Sequence, residues 1–85
     1  MITAERLQTL ISYRAPELNS MARESGYKGP AFSSCKFLGI SNGGQFVYMA
    51  VFLVEGGTDS TKVFLTHRAG IVTAQVDKVE VWQYN

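Results

Sequence analysis

The sequence is short of the residue types that build disulfide-stapled or metal-bound scaffolds. It contains one cysteine and one histidine, Cys35 and His67. A single cysteine cannot close an internal disulfide, and one Cys with one His cannot supply the four ligands of a structural zinc site. The acidic residues are scattered, so no pair suggests an acid–base couple and no loop has the ligand spacing of a calcium site. We therefore expect no metal, no cofactor and no enzymatic activity.

The chain also lacks an excess of charge of either sign. Eight Lys and Arg residues stand against seven Asp and Glu residues, which gives a formal net charge of +1. Neutralisation of backbone phosphates supplies most non-specific affinity for nucleic acids, so this balance does not favour a nucleic-acid partner.

Long apolar runs and targeting signals are missing as well. The longest apolar run, Phe46 to Val54, has nine residues, far fewer than the ~20 of a membrane-spanning helix. The N-terminus has neither the basic nor the apolar region of a signal peptide. The sequence therefore predicts a cytoplasmic protein with no membrane partner; for a phage-encoded chain this would be the host cytoplasm.

The first part of the chain has the apolar spacing of helices. Leu7 and Ile11 lie four residues apart, and similar pairs follow. Pro16 disfavours helical backbone in the residue before it, and Gly26 is placed to end a helix. The pattern predicts two short helices, or one kinked helix, over 3–25.

From residue 31 onward the apolar period changes to two, which is typical of strands. Asn42-Gly43 is a strong hairpin signal, and further glycine-containing stretches mark other turns. The predicted strands cover 32–40, 45–55, 61–68, 71–76 and 79–84, the last two being separate or one long bent strand. The fold class is therefore α+β: a single domain over 1–85, with the helical segment packed on a four- to five-stranded antiparallel meander over 31–84.

The run from Phe46 to Val54 is apolar on both faces of its strand. Antiparallel sheets commonly bury one face and leave the other to water, with polar residues alternating outward. A strand that does not alternate should be central, with each face covered. The helical segment can cover only one face, so the second cover must come from sheet curvature, from the C-terminal segment or from another molecule.

A two-residue turn at Asn42-Gly43 would divide the side chains of the first two strands between two faces. The first face contains Phe32, Leu38, Ile40, Val47, Met49, Val51 and Leu53; the second contains Cys35, Phe37, Phe46, Tyr48, Ala50, Phe52 and Val54. A three-residue turn would redistribute the residues of the first strand. The aromatic second face suggests an alternative function, the stacking of single-stranded nucleic acid, although no Lys or Arg lies on it in these two strands.

By exclusion, the sequence predicts a non-catalytic module that binds a protein partner of unknown identity. Aromatic side chains are favoured in interfaces. The candidate partner-binding residues are Phe37, Phe46, Tyr48, Phe52, Trp82 and Tyr84. A homodimer through the sheet is a further expectation, because it would cover the second face of the central strand. By size, the chain resembles the small proteins with which phages inhibit host enzymes or defence complexes, anti-CRISPR proteins among them; a small adaptor and a phage assembly subunit are alternatives.

Overall fold

The structure, a computed structural model, describes residues 2–29 and 31–85. These residues form two helices, α1 (Ala4–Tyr13) and α2 (Ala15–Glu24), followed by five strands, β1 (Ala31–Ile40), β2 (Phe46–Val54), β3 (Gly57–Arg68), β4 (Ile71–Val76) and β5 (Val79–Tyr84). The strands form one sheet in the order β1-β2-β3-β4-β5, and every neighbouring pair is antiparallel. The predicted α+β class is confirmed, and β4 and β5 are separate strands.

The two helices begin and end where the local sequence favours it. The Thr3 hydroxyl accepts a hydrogen bond of 3.2 Å from the backbone N–H of Arg6, which satisfies one free donor in the first turn of α1. The break between the helices falls at Arg14, where the backbone has φ −100° and ψ 18°. Pro16 lies in the first turn of α2, where a missing N–H costs little. The chain therefore forms two helices rather than one kinked helix.

Gly26 follows the end of α2, as the sequence predicts. Its φ of +95° lies in the left-handed region, which residues with a Cβ adopt only at a cost. The N–H of Gly26 donates to the carbonyl of Arg23 at 3.0 Å, and the N–H of Tyr27 donates to the carbonyl of Ala22 at 3.2 Å. These two bonds are those of a Schellman motif, which satisfies carbonyl groups left free at a helix end.

The hairpin between β1 and β2 has a turn one residue longer than the two-residue turn assumed from the sequence. Ser41 and Gln45 face each other across it, and Gly44 has a φ of +81°, as in a three-residue loop. A β-bulge at Leu38 then shifts the register back by one residue. Because of this compensation, Phe37 pairs with Tyr48 and lies on the predicted face.

The predicted faces of Phe32 and Ile40 are wrong for the same reason. Ile40 lies on the turn side of the bulge and therefore pairs with Phe46, on the aromatic face. Phe32 lies beyond a second register shift and pairs with Phe52, also on the aromatic face. Each irregularity moves one end of β1 to the opposite face, because side chains alternate with a period of two.

Strand β3 begins earlier than predicted. The sequence suggests a turn over 56–60 and a strand from 61, whereas β3 begins at Gly57. Glu55 and Gly56 complete the turn by themselves, with a φ of +91° at Gly56, and Val54 pairs directly with Gly57. Residues 57–60 therefore extend the β2–β3 hairpin instead of forming a loop.

The helices pack on one face of the sheet and enclose the core. Helix α1 contacts β1, and α2 contacts both β1 and β5. Leu7, Ile11 and Leu18 are fully buried between helices and sheet. The sheet contributes Tyr48, Ala50, Phe52, Val63, Leu65, Val72, Ala74, Val76 and Trp82 to this core. In the described part of the chain, no helix has the length and apolar character needed to cross a membrane.

Candidate functional site

All six candidate partner-binding residues lie on the helix-covered face of the sheet, and five of them pack into the core. Tyr48, Phe52 and Trp82 are buried, and Phe37 and Phe46 are half-buried against them. The sixth candidate, Tyr84 at the end of β5, is 47% exposed. With the helices in place, only Tyr84 offers much surface to a partner.

The aromatic rings of this covered face contact each other. The ring centroids of Phe37 and Tyr48 are 5.3 Å apart, and those of Phe32 and Phe52 are 6.0 Å apart in an edge-to-face arrangement. Such pairs stabilise a core beyond the area that they bury. The aromatic side chains that the sequence suggested for base stacking therefore pack beneath the helices.

The reactive groups of the covered face are engaged with helix α1. The Tyr48 hydroxyl donates a hydrogen bond of 2.6 Å to the carbonyl of Ala4, and burial raises the pKa of Tyr48 to about 12. The Cys35 thiol points to the carbonyl of Gln8, with a sulfur–oxygen distance of 3.8 Å, and burial raises its pKa as well. A raised pKa keeps a thiol protonated and less nucleophilic, so Cys35 behaves as a packing residue.

The opposite side of the sheet, here called the open face, is the side that the helices do not cover. Its centre is the row Val47, Met49, Val51 and Leu53 on β2, continued by Phe64 on β3 and by Leu38 on β1, which at the bulge opposes Val47 together with Gly39. Leu53 is 52% exposed and Leu38 is 47% exposed, while the other four side chains are half-buried. The open face is thus an apolar strip with no covering layer among the described residues.

Polar groups bound this strip. Met49 pairs with Lys36 on β1 and with Lys62 on β3, so an ammonium group flanks it on each side. At one end of the strip, the Gln45 amide donates to the Thr66 hydroxyl at 3.2 Å and to the Gln75 side-chain oxygen at 3.3 Å. The open face therefore has an apolar centre and a polar, partly cationic rim, which is the general layout of a protein interface.

Two concave sites lie elsewhere on the surface. The first, here called the acidic cavity, has a volume of about 390 Å³ and lies between α2 and the β2–β3 and β4–β5 turns. Its apolar lining includes Phe52 and Val76, and its carboxylates are Glu24, Asp59 and Asp77. The Tyr27 phenol faces the Asp59 carboxylate, and a hydrogen bond between them favours the protonated phenol and the ionised carboxylate. This interaction raises the pKa of Tyr27 and lowers the pKa of Asp59.

The second concave site, here called the basic groove, is an open groove of about 910 Å³ between α1 and the ends of β3, β4 and β5. Its floor is aliphatic. Its charged and aromatic lining comes from both helices and from the sheet: Arg6, Tyr13, Arg14, Glu17, His67 and Tyr84. These residues are dispersed over most of the chain, so nothing in the sequence signalled the groove beyond the spacing of seven residues between Arg6 and Tyr13, which places both on one side of α1.

Arg14 is held in the basic groove by three neighbours. Its guanidinium carbon lies 5.8 Å from the ring centroid of Trp82 and 5.4 Å from that of Tyr84. Its Nη1 lies 3.3 Å from a carboxylate oxygen of Glu17, the one salt bridge formed within the described residues. Stacking on aromatic faces is a favourable arrangement for guanidinium groups. The charge of Arg14 is therefore fixed in place at the break between the helices.

No group of three or more His, Cys, Asp or Glu side chains is placed to hold a metal ion in residues 2–29 and 31–85. A scan against protein-family models finds no matching family. Searches against curated proteins and against solved structures find no significant match. We therefore infer function from the geometry of this chain alone.

Proposed function

We propose that this protein is a non-catalytic module that acts by protein–protein contact and that the open face is its contact surface. The observation that carries the proposal is the exposure of the apolar strip along β2. The helices cover one face of β2 and leave Val47, Met49, Val51 and Leu53 on the other without a second layer. Contiguous apolar patches of this kind on small soluble proteins mark sites of interaction.

The curvature of the sheet does not replace the missing layer. Leu53 and Leu38 each keep about half of their surface in contact with water. A cover over this strip would add apolar burial worth roughly 25 cal/mol per Å². A domain of 85 residues gains much from such burial, since it buries a smaller fraction of its surface than a larger domain does.

A second copy of the chain is the simplest partner, and a homodimer through the open face is one form of the proposal. Light scattering during size-exclusion chromatography, over a wide range of protein concentrations, measures this directly. A dimer that Val51→Glu converts to a monomer supports self-association. Ser20→Glu, at an exposed position of α2, is the matched control and should leave the dimer intact. A strict monomer at every concentration excludes the homodimer and leaves a different protein as the partner.

For a different partner, the same variants serve in affinity capture from a lysate of the source cell. The wild type and Ser20→Glu should retain a protein that the double variant Met49→Glu/Leu53→Glu does not. Identical captured proteins for all three would contradict the open face as the contact surface. Circular dichroism on each variant establishes that the fold is retained before the comparison is made.

Occlusion of a host enzyme or defence complex, as by small phage-encoded inhibitors, is one role compatible with the proposal. It is supported by the small size of the chain, because an inhibitor of this type needs a complementary surface and no catalytic groups. A homodimeric adaptor would use the same surface. Nucleic-acid stacking on the aromatic face is disfavoured, because the side chains it requires are packed under α1 and α2.

A further inference from the structure

The basic groove is a second concave surface, on the helix side of the sheet and separate from the open face. Its basic side chains are Arg6, Arg14 and His67, and its one side-chain carboxylate is that of Glu17. That carboxylate is already paired with Arg14. Arg6, on the exposed side of α1, and His67, near the end of β3, form no salt bridge within the described residues. The groove therefore presents cationic and hydrogen-bonding groups that are free to meet an acidic ligand.

The floor of the groove is apolar. Ile2 and Leu10 contribute from the helical side and Val72 from β4. Tyr13 stands at the rim with 83% of its side chain exposed. A ligand that fits this groove therefore needs an apolar side chain for the floor and anionic groups for the rim, because an unpaired charge on the floor would lose its hydration without compensation.

We propose that the basic groove binds an acidic peptide segment of a partner protein, with an apolar side chain on the groove floor and carboxylates at Arg6, Arg14 and His67. Arg14 is the fixed element of this site, because its stacking on Trp82 and Tyr84 orients the guanidinium in the absence of ligand. A preoriented guanidinium loses less side-chain freedom on binding a carboxylate and can bind it through two parallel hydrogen bonds.

A peptide fits this groove better than single-stranded nucleic acid for two reasons. Binding by base stacking uses several aromatic faces in succession, and here only the Tyr13 ring is free, because the Tyr84 ring already faces the Arg14 guanidinium. Nucleic acid also needs an extended cationic track, and the chain has a formal net charge of only +1. A short acidic segment matches a local group of basic side chains without requiring more charge along the surface.

The test is selection from a random library of short displayed peptides on the intact protein. We expect the enriched peptides to contain an excess of Asp and Glu around at least one large apolar residue. The best enriched peptide is then synthesised and titrated against the protein. Trp82 is the sole tryptophan and stacks with Arg14, so its fluorescence reports occupancy of the groove.

The discriminating variant is Arg6→Gln/His67→Gln, which removes two exposed side chains that form no side-chain hydrogen bond or salt bridge within the described residues. We expect it to weaken peptide binding about tenfold or more, since each charge-assisted hydrogen bond is worth at least the factor of ten that 1.4 kcal/mol represents. Arg23→Gln, at an exposed position of α2 outside the groove, removes a charge and should bind like the wild type.

Three results would overturn the proposal: no enrichment of any peptide, enriched peptides without an acidic excess, or equal binding by the wild type and Arg6→Gln/His67→Gln. A single-stranded oligothymidylate that displaces the peptide and binds more tightly at the same salt concentration would assign the groove to nucleic acid instead. The variants that test the open face lie on the other side of the sheet from the basic groove. A negative result for one surface therefore leaves the proposal for the other surface unaffected.

Discussion

The hydroxyl of Tyr48, in the first half of β2, donates a hydrogen bond of 2.6 Å to the backbone carbonyl of Ala4, in the first turn of α1. The two residues are separated by 44 positions in the sequence. Tyr48 is fully buried, so the bond satisfies a hydroxyl that would otherwise lose its hydration without a partner. This contact attaches the start of α1 to β2, on the face that the helices cover.

Tyr48→Phe should reduce the free energy of unfolding by about 1 kcal/mol, because it removes this hydrogen bond at a buried position. Urea denaturation at neutral pH measures the change. Tyr13→Phe is the matched control, since Tyr13 is 83% exposed and should lose almost nothing. Equal loss in both variants would show that the buried hydroxyl contributes no specific stability.

The pH dependence of stability should also report Tyr48. The pKa of Tyr48 in the folded protein is raised to about 12, above the ordinary tyrosine value. As the pH rises, the unfolded chain therefore loses the Tyr48 proton at a lower pH than the folded protein does. The contribution is fully present below pH ~10 and is lost as the pH rises toward ~12. Denaturation midpoints measured across this range should fall more steeply for the wild type than for Tyr48→Phe. Parallel curves would contradict the assignment.

Asn19 connects α2 to the edge strand β1. Its side-chain oxygen accepts a hydrogen bond of 3.0 Å from the backbone N–H of Phe32. Asn19→Ala should lower the free energy of unfolding by about 1 kcal/mol and increase hydrogen exchange at Phe32. Ser20→Ala, at the neighbouring exposed position, is the control. Unchanged exchange at Phe32 would show that the strand is held without this bond.

Gly26→Ala should destabilise the protein by about 1 kcal/mol, because the φ of +95° at the end of α2 forces a Cβ into a strained backbone region. Gly43→Ala is a matched control: its backbone is not left-handed, and its new Cβ would meet only the Ser41 hydroxyl, at 3.9 Å. Thermal unfolding of both variants separates backbone strain from the general effect of replacing glycine. A similar change in the two melting temperatures would argue against the Schellman motif as a stabilising element.

Leucines on the two faces of the sheet should respond differently to truncation. Leu65 is fully buried under the helices, so Leu65→Ala should cost about 2–5 kcal/mol. Leu53 is 52% exposed on the open face, so Leu53→Ala should change the free energy of unfolding by no more than ~1 kcal/mol in a monomer. Chemical denaturation at low protein concentration provides the comparison. A large loss at Leu53 would show that the open face is covered in solution.

The succession of elements could be predicted from local chemistry. The helical spacing of Leu7 and Ile11 and the stop at Gly26 depend only on residues nearby in the chain. The change to a period of two after residue 31 is local in the same way, and so is the hairpin signal at Asn42-Gly43. These features determined the α+β class and the meander, both of which the structure contains; β2, expected to be central, is an interior strand next to the edge strand β1.

Which face the helices cover could not be decided from the sequence, because β2 is apolar on both faces. Only the packing of α1 and α2, with the Tyr48–Ala4 hydrogen bond, selects the aromatic face as the core. The bulge at Leu38, which offsets the longer turn, could not be predicted either, because it is defined only by how β1 pairs with β2. The basic groove joins side chains from positions 2 to 85, and their proximity exists only after the chain has folded. The sequence by itself predicted that the helical segment would cover only one face of β2. The tertiary structure decided that the uncovered face is the one with Val47, Met49, Val51 and Leu53, because α1 and α2 pack on the other face.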